Sequence, residues 1–478
     1  MRFGSFQDDQ RFLSRFNVFW DTLKAIEKTH KYLSLDPRRR YWIDTYPPMT
    51  MWMDGQGRQQ KRKRWDLGTI SQEIQEEIFS LYFHIGFCRR RCAYCRQYEI
   101  SLIKDPERSD LLRRYVDILK KDIDISVSLF PALKSRTRDV YFGGGTPSLL
   151  PPRLLGSLLE HLLKRVDLSI LSPRSTYELN PEDDVDGLLE ILQAIAIPRI
   201  SIGVQSFDDR ILHSIGRRYC QGDISRIIER VAKRGFPSIN LDLINGFPPH
   251  QEFENWKREL ARLGTLFESG AIQSATLYML HPFPQTSLPG HPADSYWQTR
   301  NLCFAREYLC DRLQLQERPI YWFQKERAET EEAFAPSFSI FGYGNSSYSS
   351  LGRWLLQNEP SLKAYMAHKR EDESNASLPI QYVFRLTPKQ MQIRALLFAI
   401  RSGSFKLGQK ELDRMSPLFK KLFQKFEQGD LLERKKDLYG LTEAGKIFAH
   451  QMPIFFFDPE AKKNLHDYLD SRFAAQHG

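Results

Sequence analysis

Residues 81–100 read LYFHIGFCRRRCAYCRQYEI and hold three of the chain's six cysteines. The apolar run SLYFHI at residues 80–85 has the length and composition of a buried strand. Cys88, Cys92 and Cys95 follow this run with the spacing C-x3-C-x2-C. Thiolates at this spacing on one loop can surround a single metal centre. Zinc and an iron–sulfur cluster are the main candidates.

The number of ligands separates these two candidates. A structural zinc site needs four protein ligands, and the nearest fourth candidate is His84. A [4Fe–4S] cluster held by three cysteines leaves one iron open to a non-protein ligand, where chemistry can occur. The spacing favours the cluster only modestly, and His84 is expected to be a strand residue with a structural hydrogen bond. The remaining cysteines are scattered, and we predict that they are small core residues: Cys220, Cys303 and Cys310.

The composition is that of an ordinary globular protein. The chain has 478 residues, of which 41% are hydrophobic and 27% charged, so its length predicts two or three domains. Few cysteines, no apolar run of membrane length and no apolar core of a signal peptide together predict a cytoplasmic protein without a membrane span. The net charge of +10 suits nucleic acid, an anionic membrane or a multiply charged small substrate. No nucleic-acid-binding motif accompanies the basic runs Arg38–Arg40 and Lys61–Arg64. We therefore expect a solvated face there and no nucleic-acid partner.

Strand-length apolar runs alternate with longer helical patterns through the middle of the chain. The predicted strands are 80–85, 139–144, 175–180, 199–205, 239–246 and 275–280. The predicted helices between them include 109–126, 152–165, 184–193, 222–234 and 253–268. This alternation is typical of an α/β protein with a parallel sheet. It favours a partial or full β/α barrel over a sandwich, and leaves a doubly wound open sheet as the alternative.

The alternation divides the chain into three predicted parts. Residues 1–77 form an N-terminal extension, residues 78–358 the β/α domain, and residues 359–478 a C-terminal domain. In the C-terminal part, a helical pattern at 387–400 and one or two helices at 409–428 precede two short strands and a final helix. This order predicts a helical, winged-helix-like domain. It has no basic recognition helix, so packing is a more plausible role for it than DNA binding.

A second motif lies at the end of the predicted strand 139–144. Gly143, Gly144 and Gly145 are followed by Thr146 and Pro147. Consecutive glycines let a ligand approach the backbone closely and leave N–H groups free to bind polar atoms. The cysteine loop and this glycine-rich turn both follow parallel strands, and ligands of such folds bind at the carboxyl ends of the strands. The two loops therefore predict a shared site.

Together the motifs resemble those of the radical S-adenosylmethionine (SAM) enzymes, and among them the family of oxygen-independent coproporphyrinogen III oxidase. The family pattern Y-x-H-I-P-F-C-x3-C-x2-C is matched from Tyr82 to Cys95, and G-G-G-T-P by residues 143–147. Later motifs match Glu178 in YELNP, Gln205 in GVQSF and Asp242 in DLINGFP. The resemblance extends over residues 80 to 450 and includes Arg217, WFQ at 322–324, FGYGNSSY at 341–348 and GLTEAG at 440–445.

The resemblance implies a radical SAM partial β/α (TIM-like) barrel, and a [4Fe–4S] cluster with three cysteine ligands. It also implies one or two SAM molecules, with a second one beside Gln205, Arg217 and Asp242. The cofactor contacts it implies are Tyr82, Tyr94, Gly144, Gly145, Thr146, Glu178, Gln205, Arg217, Asp242, Met279 and Tyr348. The candidates it offers for catalytic residues are Tyr82, Glu178, Phe323 and Gln324.

The reaction implied by the resemblance begins with cleavage of SAM to a 5'-deoxyadenosyl radical. The expected outcome is oxidative decarboxylation of coproporphyrinogen III, with flavodoxin or ferredoxin as electron donor and a monomeric enzyme. Two residues depart from the family pattern: Gly86 replaces a proline, and Gln97 stands where the oxidase has a fourth cysteine. Because Gln97 puts the exact reaction in question, a non-catalytic haem chaperone and a radical SAM methyltransferase or cyclopropanase stay open as alternatives.

Overall fold

The computed structural model describes residues 6–36, 67–95, 101–107, 109–281, 288, 294–317, 320–325, 338–370 and 377–474. The basic runs at 38–40 and 61–64 and the residue Gln97 lie outside these ranges. Within them, no helix is both long and apolar enough to cross a bilayer.

The described strands are numbered here in chain order. They are β1 (Phe79–Ile85), β2 (Phe87–Cys88), β3 (Ser101–Leu102), β4 (Thr137–Gly144), β5 (Thr176–Leu179), β6 (Arg199–Gln205), β7 (Ser238–Asn245), β8 (Ser274–Met279), β9 (Gln316–Glu317), β10 (Trp322–Gln324), β11 (Ser339–Tyr343), β12 (Tyr348–Leu351), β13 (Trp354–Asn358), β14 (Ile380–Arg385), β15 (Ser404–Lys406), β16 (Leu432–Lys435) and β17 (Leu438–Leu441).

The described helices are numbered in the same way, with short single-turn helices left unlabelled. They are α1 (Phe6–Thr29), α2 (Leu67–Glu73), α3 (Asp110–Leu129), α4 (Leu133–Arg136), α5 (Pro152–Leu163), α6 (Asp186–Ala194), α7 (Asp209–Ser214), α8 (Gln221–Lys233), α9 (Phe253–Glu268), α10 (Ser295–Arg306), α11 (Leu362–Ala367), α12 (Pro388–Arg401), α13 (Gln409–Arg414), α14 (Pro417–Gln428), α15 (Glu443–Phe448) and α16 (Pro459–Ala474).

One large mixed sheet organises the chain. Its strand order is β14-β13-β12-β11-β1-β4-β5-β6-β7-β8-β10-β9. Neighbouring strands from β11 and β1 through β4 to β8 are parallel, and the strands beyond β11 and beyond β8 pair antiparallel. Helices follow the parallel strands, as right-handed β-α connections require. The predicted α/β class and partial β/α barrel are thereby confirmed.

The two faces of the parallel strands differ in chemistry. In β6, the side chains of Ile200, Ile202 and Val204 are fully buried. The alternate residues Ser201 and Gly203 instead line a cavity inside the barrel. Strand side chains alternate between the two faces of a sheet, so one strand can serve both the apolar layer and the site.

The C-terminal residues form a small sheet with the order β15-β17-β16 and five helices, α12 to α16. Met279, Leu302 and Ile320 of the preceding part belong to the same hydrophobic cluster as this unit. In addition, β14 pairs with β13, so the large sheet continues beyond residue 358. Where the chain divides into domains stays a prediction.

Candidate active site

A cavity of about 440 Å³ lies at the carboxyl ends of the parallel strands. This volume falls within the usual range for small-molecule sites. Most of the predicted cofactor and metal residues line it: Cys88, Cys92, Tyr94, Cys95, Gly144, Gly145, Thr146, Glu178, Gln205, Arg217, Asp242 and Met279. Residues from motifs that lie up to about 190 positions apart in the sequence therefore meet in one site.

The cysteine loop is held by backbone hydrogen bonds at both ends. The Ile103 N–H donates to the Cys88 carbonyl at 2.9 Å, and the Ala93 N–H donates to the Ile215 carbonyl at 3.0 Å. The Cys88 Sγ lies 3.2 Å from Thr146 Oγ1 of the glycine-rich turn. Burial raises the pKa of the Cys88 thiol to about 11, while the Thr146 hydrogen bond opposes the rise. Without a bound cation, this thiol stays protonated at neutral pH.

The three thiols of the cysteine loop face one cavity. All three line it, and the proximity of Cys95 and Cys92 adds to the rise in the pKa of Cys88. A [4Fe–4S] cluster can be held by three thiolates, each on a different iron. The residues present therefore fit such a cluster.

The glycine-rich turn is shaped by close packing against β1. A Cβ on Gly145 would lie 2.6 Å from the Phe87 carbonyl oxygen, and the Gly145 N–H donates to the Ile85 carbonyl at 2.8 Å. Gly144 has φ +112°, and a Cβ there would lie 2.7 Å from His84 Nδ1. A side chain at position 145 would collide with the backbone just before Cys88, and one at position 144 would collide with the His84 ring and strain the backbone.

His84 packs against the glycine-rich turn. Its side chain is buried, its Nδ1 lies 3.1 Å from the Tyr82 hydroxyl, and burial lowers its pKa to about 4. The ring is thus neutral near pH 7 and packs beneath Gly144. This agrees with the expected structural hydrogen bond.

Glu178 projects into the cavity from β5. The Tyr141 hydroxyl donates to Glu178 Oε1 at 2.7 Å. Burial raises the pKa of the Glu178 carboxyl to about 7, with Asp242 adding to the rise and Tyr141 and Arg199 opposing it. A positive ligand group beside Glu178 would restore its ionised form.

Gln205, at the end of β6, has the left-handed φ of +67°. Its neighbours are fixed from α9, because the buried Glu259 carboxylate accepts hydrogen bonds from the Ser206 hydroxyl and from the Phe207 N–H, the latter at 2.8 Å. A left-handed conformation is unfavourable for a residue with a Cβ and persists only where the surroundings enforce it. Holding Gln205 in this conformation costs folding stability, and the Gln205 side chain lines the cavity.

Arg217, in the connection that follows β6, links the loop after β5 to the cysteine loop. It donates to Asn180 Oδ1 at 2.9 Å and to the Tyr94 hydroxyl at 2.7 Å. The Arg217 Nε is buried and has no hydrogen-bond partner among the described residues. Such a donor is available for a ligand carboxylate.

Asp242 and Met279 complete the wall formed by β7 and β8. The Asp242 carboxylate accepts hydrogen bonds from the Ser201 hydroxyl and the Asn240 amide, both at 2.9 Å, and burial raises its pKa. The Met279 sulfur accepts from the Asn245 amide at 3.4 Å. Both side chains are thus oriented by hydrogen-bond partners on β6 and β7.

Four predicted residues lie away from the cavity lining. Tyr82 lies beneath it against Tyr141, with ring centroids 5.9 Å apart. Phe323 and Gln324 pair with Ala275 and Ser274 at the start of β8, which is the opposite end of the barrel. Tyr348, on β12, packs outside the parallel core near Leu355 and Leu386. The structure does not bring these four side chains to the ligand position, and their proposed roles stay predictions.

The cavity also contains residues that the sequence motifs do not single out. Arg89 forms an ion pair with Asp183 at 3.0 Å, and Arg90 donates to Glu182 at 2.7 Å. These pairs tie the cysteine loop to the loop after β5. Strand alternation alone indicates other lining positions that lie two or four residues from a predicted site residue, namely Asn180, Ser201 and Ile244.

The chain is similar to several known proteins. Residues 82–259 match the family model described as Radical SAM superfamily. An oxygen-independent coproporphyrinogen III oxidase of Paracoccus denitrificans is 30% identical over 358 residues, covering 68% of this chain and 74% of that protein. A protein named heme chaperone HemW, from Lactococcus lactis, is 36% identical over 169 residues, covering 35% of this chain and 41% of the chaperone. The chain thus spans less than half the length of that relative.

A solved structure of coproporphyrinogen III oxidase from Escherichia coli shares the fold. The TM-score is 0.69 at 20% identity, and the match covers 81% of this chain and 92% of that one. The resemblance inferred from the motifs is thereby confirmed. The chain belongs to the radical SAM superfamily, in the family of oxygen-independent coproporphyrinogen III oxidase and its relatives.

Proposed function

We propose that this protein is a SAM-dependent enzyme that oxidatively decarboxylates coproporphyrinogen III to protoporphyrinogen IX, or carries out a closely related reaction on a tetrapyrrole. The observation that carries the proposal is the convergence of three thiols, the carboxyls of Glu178 and Asp242 and the unpaired Nε donor of Arg217 in one cavity. The relatives named as oxidases of coproporphyrinogen supply the substrate class.

The thiols of Cys88, Cys92 and Cys95 would hold the cluster, and Thr146 would donate a hydrogen bond to the Cys88 sulfur. When bound, a [4Fe–4S] cluster supplies the electron for reductive cleavage of SAM. Hydrogen bonds to cluster sulfurs influence the reduction potential. Thr146 would therefore influence both the pKa of the Cys88 thiol and the reduction potential of the cluster.

The charges around the cavity match those of SAM, which carries a sulfonium, an amine and a carboxylate. Arg217 has its Nε free for the carboxylate, and Asp242 can face a positive group. Gln205 can donate and accept hydrogen bonds. We propose that these three residues hold a second SAM, while Gly144, Gly145 and Glu178 contact the first. Tyr94, which accepts the hydrogen bond from Arg217, would lie between them.

The proposed substrate is an anion, whereas the protein is basic. The chain has a net charge of +10, and a tetra-anionic porphyrinogen would be attracted to it. Each reacting propionate would lose one hydrogen atom, carbon dioxide and one electron, which leaves a vinyl group. The electron would pass to an acceptor, and a flavodoxin or ferredoxin would supply the electron that cleaves SAM. We propose a cytoplasmic monomer for this role.

Anaerobic reconstitution followed by product analysis tests this function. Protein reconstituted with iron and sulfide is incubated with SAM, a reductant and coproporphyrinogen III, and the porphyrin products and 5'-deoxyadenosine are quantified. We expect loss of two carboxyl groups per substrate and no turnover in the Cys92→Ala variant. SAM cleavage with coproporphyrinogen III recovered unchanged would contradict the proposed reaction.

A haem chaperone is the second candidate. Two observations favour it: the 36% identity to a protein named heme chaperone, and Gln97 in place of the fourth cysteine of the oxidase pattern. Under this alternative, the reconstituted protein would bind about one haem per chain and consume no SAM when coproporphyrinogen III is added. A methylated or cyclopropanated product would instead identify the third alternative.

The second SAM position can be tested by stoichiometry. Anaerobic equilibrium dialysis should give about two SAM per chain for the wild type and about one for Arg217→Ala, with the iron content unchanged. Loss of the guanidinium should weaken the second site by about 2–3 kcal/mol, because a charge-assisted hydrogen-bond pair is removed. A wild-type stoichiometry of one, unchanged in the variant, would reject the second position.

A further inference from the structure

Tyr278 is the most exposed aromatic side chain among the described residues. It lies near the end of β8 and has 44% of its surface open to solvent. A single exposed apolar group on a protein surface is common and needs no explanation. Tyr278 differs from the other exposed large apolar residues in the described part of the chain, because it lines the active-site cavity and they do not. Its ring is therefore a surface that an apolar part of a ligand can cover.

The neighbours of Tyr278 in the sheet show which way its side chain faces. The Thr276 hydroxyl, two residues earlier on β8, donates to Asn240 Oδ1 of β7 at 3.4 Å. Because strand side chains alternate between the two faces of a sheet, Tyr278 shares the inward face of β8 with Thr276. Tyr278 pairs with Ile244 of β7, and the Ile244 side chain also lines the cavity.

The ring lies at the solvent side of an apolar wall, which consists of Ile244, Tyr278 and Leu280. All three residues line the cavity, but Ile244 is only 6% exposed and Leu280 only 4%. The pairing of β10 with β8 ends at Thr276, so β10 does not extend alongside Tyr278. The aromatic ring thus stands where solvent reaches the cavity, with the two aliphatic side chains packed behind it.

This wall is chemically distinct from the rest of the cavity. The thiols and the residues proposed above to contact SAM lie on elements from the cysteine loop to β7. Of the described residues of β8, Tyr278 and Met279 line the cavity, and neither is charged. A ligand group that packs here is therefore apolar. A pyrrole ring suits the position, because flat aromatic rings pack on a tyrosine ring in offset or edge-to-face contact.

We propose that Tyr278 is a substrate-binding residue, whose ring packs against a pyrrole ring of the tetrapyrrole while Ile244 and Leu280 extend the apolar contact. This inference rests on the proposed function and names a residue through which the site recognises that substrate. The adenine of SAM is the competing aromatic group. The tetrapyrrole is favoured because Tyr278 stands at the solvent side of β8, beyond the strands that carry the proposed SAM contacts.

The test uses coproporphyrin III, the fluorescent oxidised form of the proposed substrate. Holoprotein with the reconstituted cluster is titrated anaerobically with this probe, and its fluorescence is followed. Tyr278→Ala should bind it about tenfold more weakly than the wild type, because the packed ring is lost. Tyr278→Phe keeps the ring and should retain most of the affinity. A loss in Tyr278→Phe as large as that in Tyr278→Ala would overturn the inference, since the hydroxyl and not the ring would then make the contact.

SAM binding separates the two aromatic ligands. In anaerobic dialysis, Tyr278→Ala should bind SAM as tightly as the wild type, and weaker SAM binding would overturn the inference by placing the adenine on this ring. Leu418→Ala is the control. Leu418 is 57% exposed on α14 and does not line the cavity, so its variant should bind both ligands as the wild type does. Equal iron content verifies that each variant folds and assembles the cluster.

Turnover distinguishes a failure of this inference from a failure of the proposed function. If the wild type decarboxylates coproporphyrinogen III while Tyr278→Ala binds coproporphyrin III with unchanged affinity, the role of Tyr278 is rejected alone. Binding that depends on Tyr278, without decarboxylation, would support the inference and reject the proposed reaction. A wild-type protein that binds no coproporphyrin III would overturn the inference, whatever its cleavage of SAM.

Discussion

Glu178→Gln should stabilise the ligand-free protein at alkaline pH. Burial raises the pKa of the Glu178 carboxyl from the ordinary 4.5 to about 7. At pH values between 4.5 and about 7, the Glu178 carboxyl keeps its proton in the native state, whereas it has lost that proton in the unfolded chain. The free energy of unfolding therefore falls as the pH rises through this window. Glutamine has no such proton, and its carbonyl oxygen can still accept the hydrogen bond from Tyr141.

The magnitude follows from the size of the shift. A difference of about 2.5 pKa units corresponds to about 3.5 kcal/mol, because each unit is worth about 1.4 kcal/mol. We expect the stability of the Glu178→Gln variant to match that of the wild type near pH 4.5. The advantage of the variant should grow as the pH rises and level off at about 3.5 kcal/mol above pH 8. Urea unfolding of cluster-free protein, followed by tryptophan fluorescence at several pH values, measures this difference.

Glu190→Gln provides the matched control. Glu190 lies on α6 with 67% of its side chain exposed, so its replacement should change stability by a few tenths of a kcal/mol at every pH. A difference between Glu178→Gln and wild type that does not vary with pH would refute the reasoning. So would a variant that is less stable than wild type at pH 8.

Three further results are expected. Cys92→Ala should lose the iron and the brown colour of the reconstituted protein. Cys220→Ser should keep both in an iron assay; Cys220 lies exposed at the start of α8, so the prediction that it is a core residue was wrong. Gln205→Gly should be about 1 kcal/mol more stable in urea than Gln205→Ala, because only glycine adopts the +67° φ without strain. Arg306→Met should cost about 3–5 kcal/mol, since it leaves the buried Glu317 carboxylate without its bidentate partner; the double variant with Glu317→Met should lose less.

The strands and helices of the parallel core could be predicted because each has a single dominant pattern. The run RISIGVQ was predicted as a strand at 199–205, and the structure has it as β6. The helix predicted at 253–268 is α9 with the same bounds. In both segments apolar residues recur at the period of the element and buried neighbours cover them on one side. Local sequence and tertiary packing agree there.

The strands β11 to β14 were not predicted. β11 runs parallel to β1 and brings Ser339 beside Phe79, a contact between residues about 260 positions apart. No local pattern specifies which strand lies next to β1, because that choice depends on the packing of the whole sheet. The position of Tyr348 was not predictable for the same reason. Its motif matches the family pattern, but β12, which carries it, lies two strands away from β1 in the sheet.

The candidate site was predictable where chemistry is carried by residue type and spacing, as in the cysteine loop. The surroundings of the site were not predictable, because they come from distant parts of the chain. The ring beside the buried Arg199 is that of Trp322, on a strand more than 120 positions later. The residues after Gln205, which has a left-handed φ, are likewise held by Glu259 on α9.

Met279 has a consequence for dissecting the protein. Its side chain lines the ligand cavity and also belongs to the hydrophobic cluster of the C-terminal unit, while Tyr321 of the barrel stacks on His450 at 5.5 Å. A fragment ending at residue 358 would expose the back of the cavity wall to water and remove the edge strand β14. The motif-bearing segment is thus not an exchangeable module. Chimaeras that swap it between relatives should keep the cognate C-terminal unit to retain a formed ligand site.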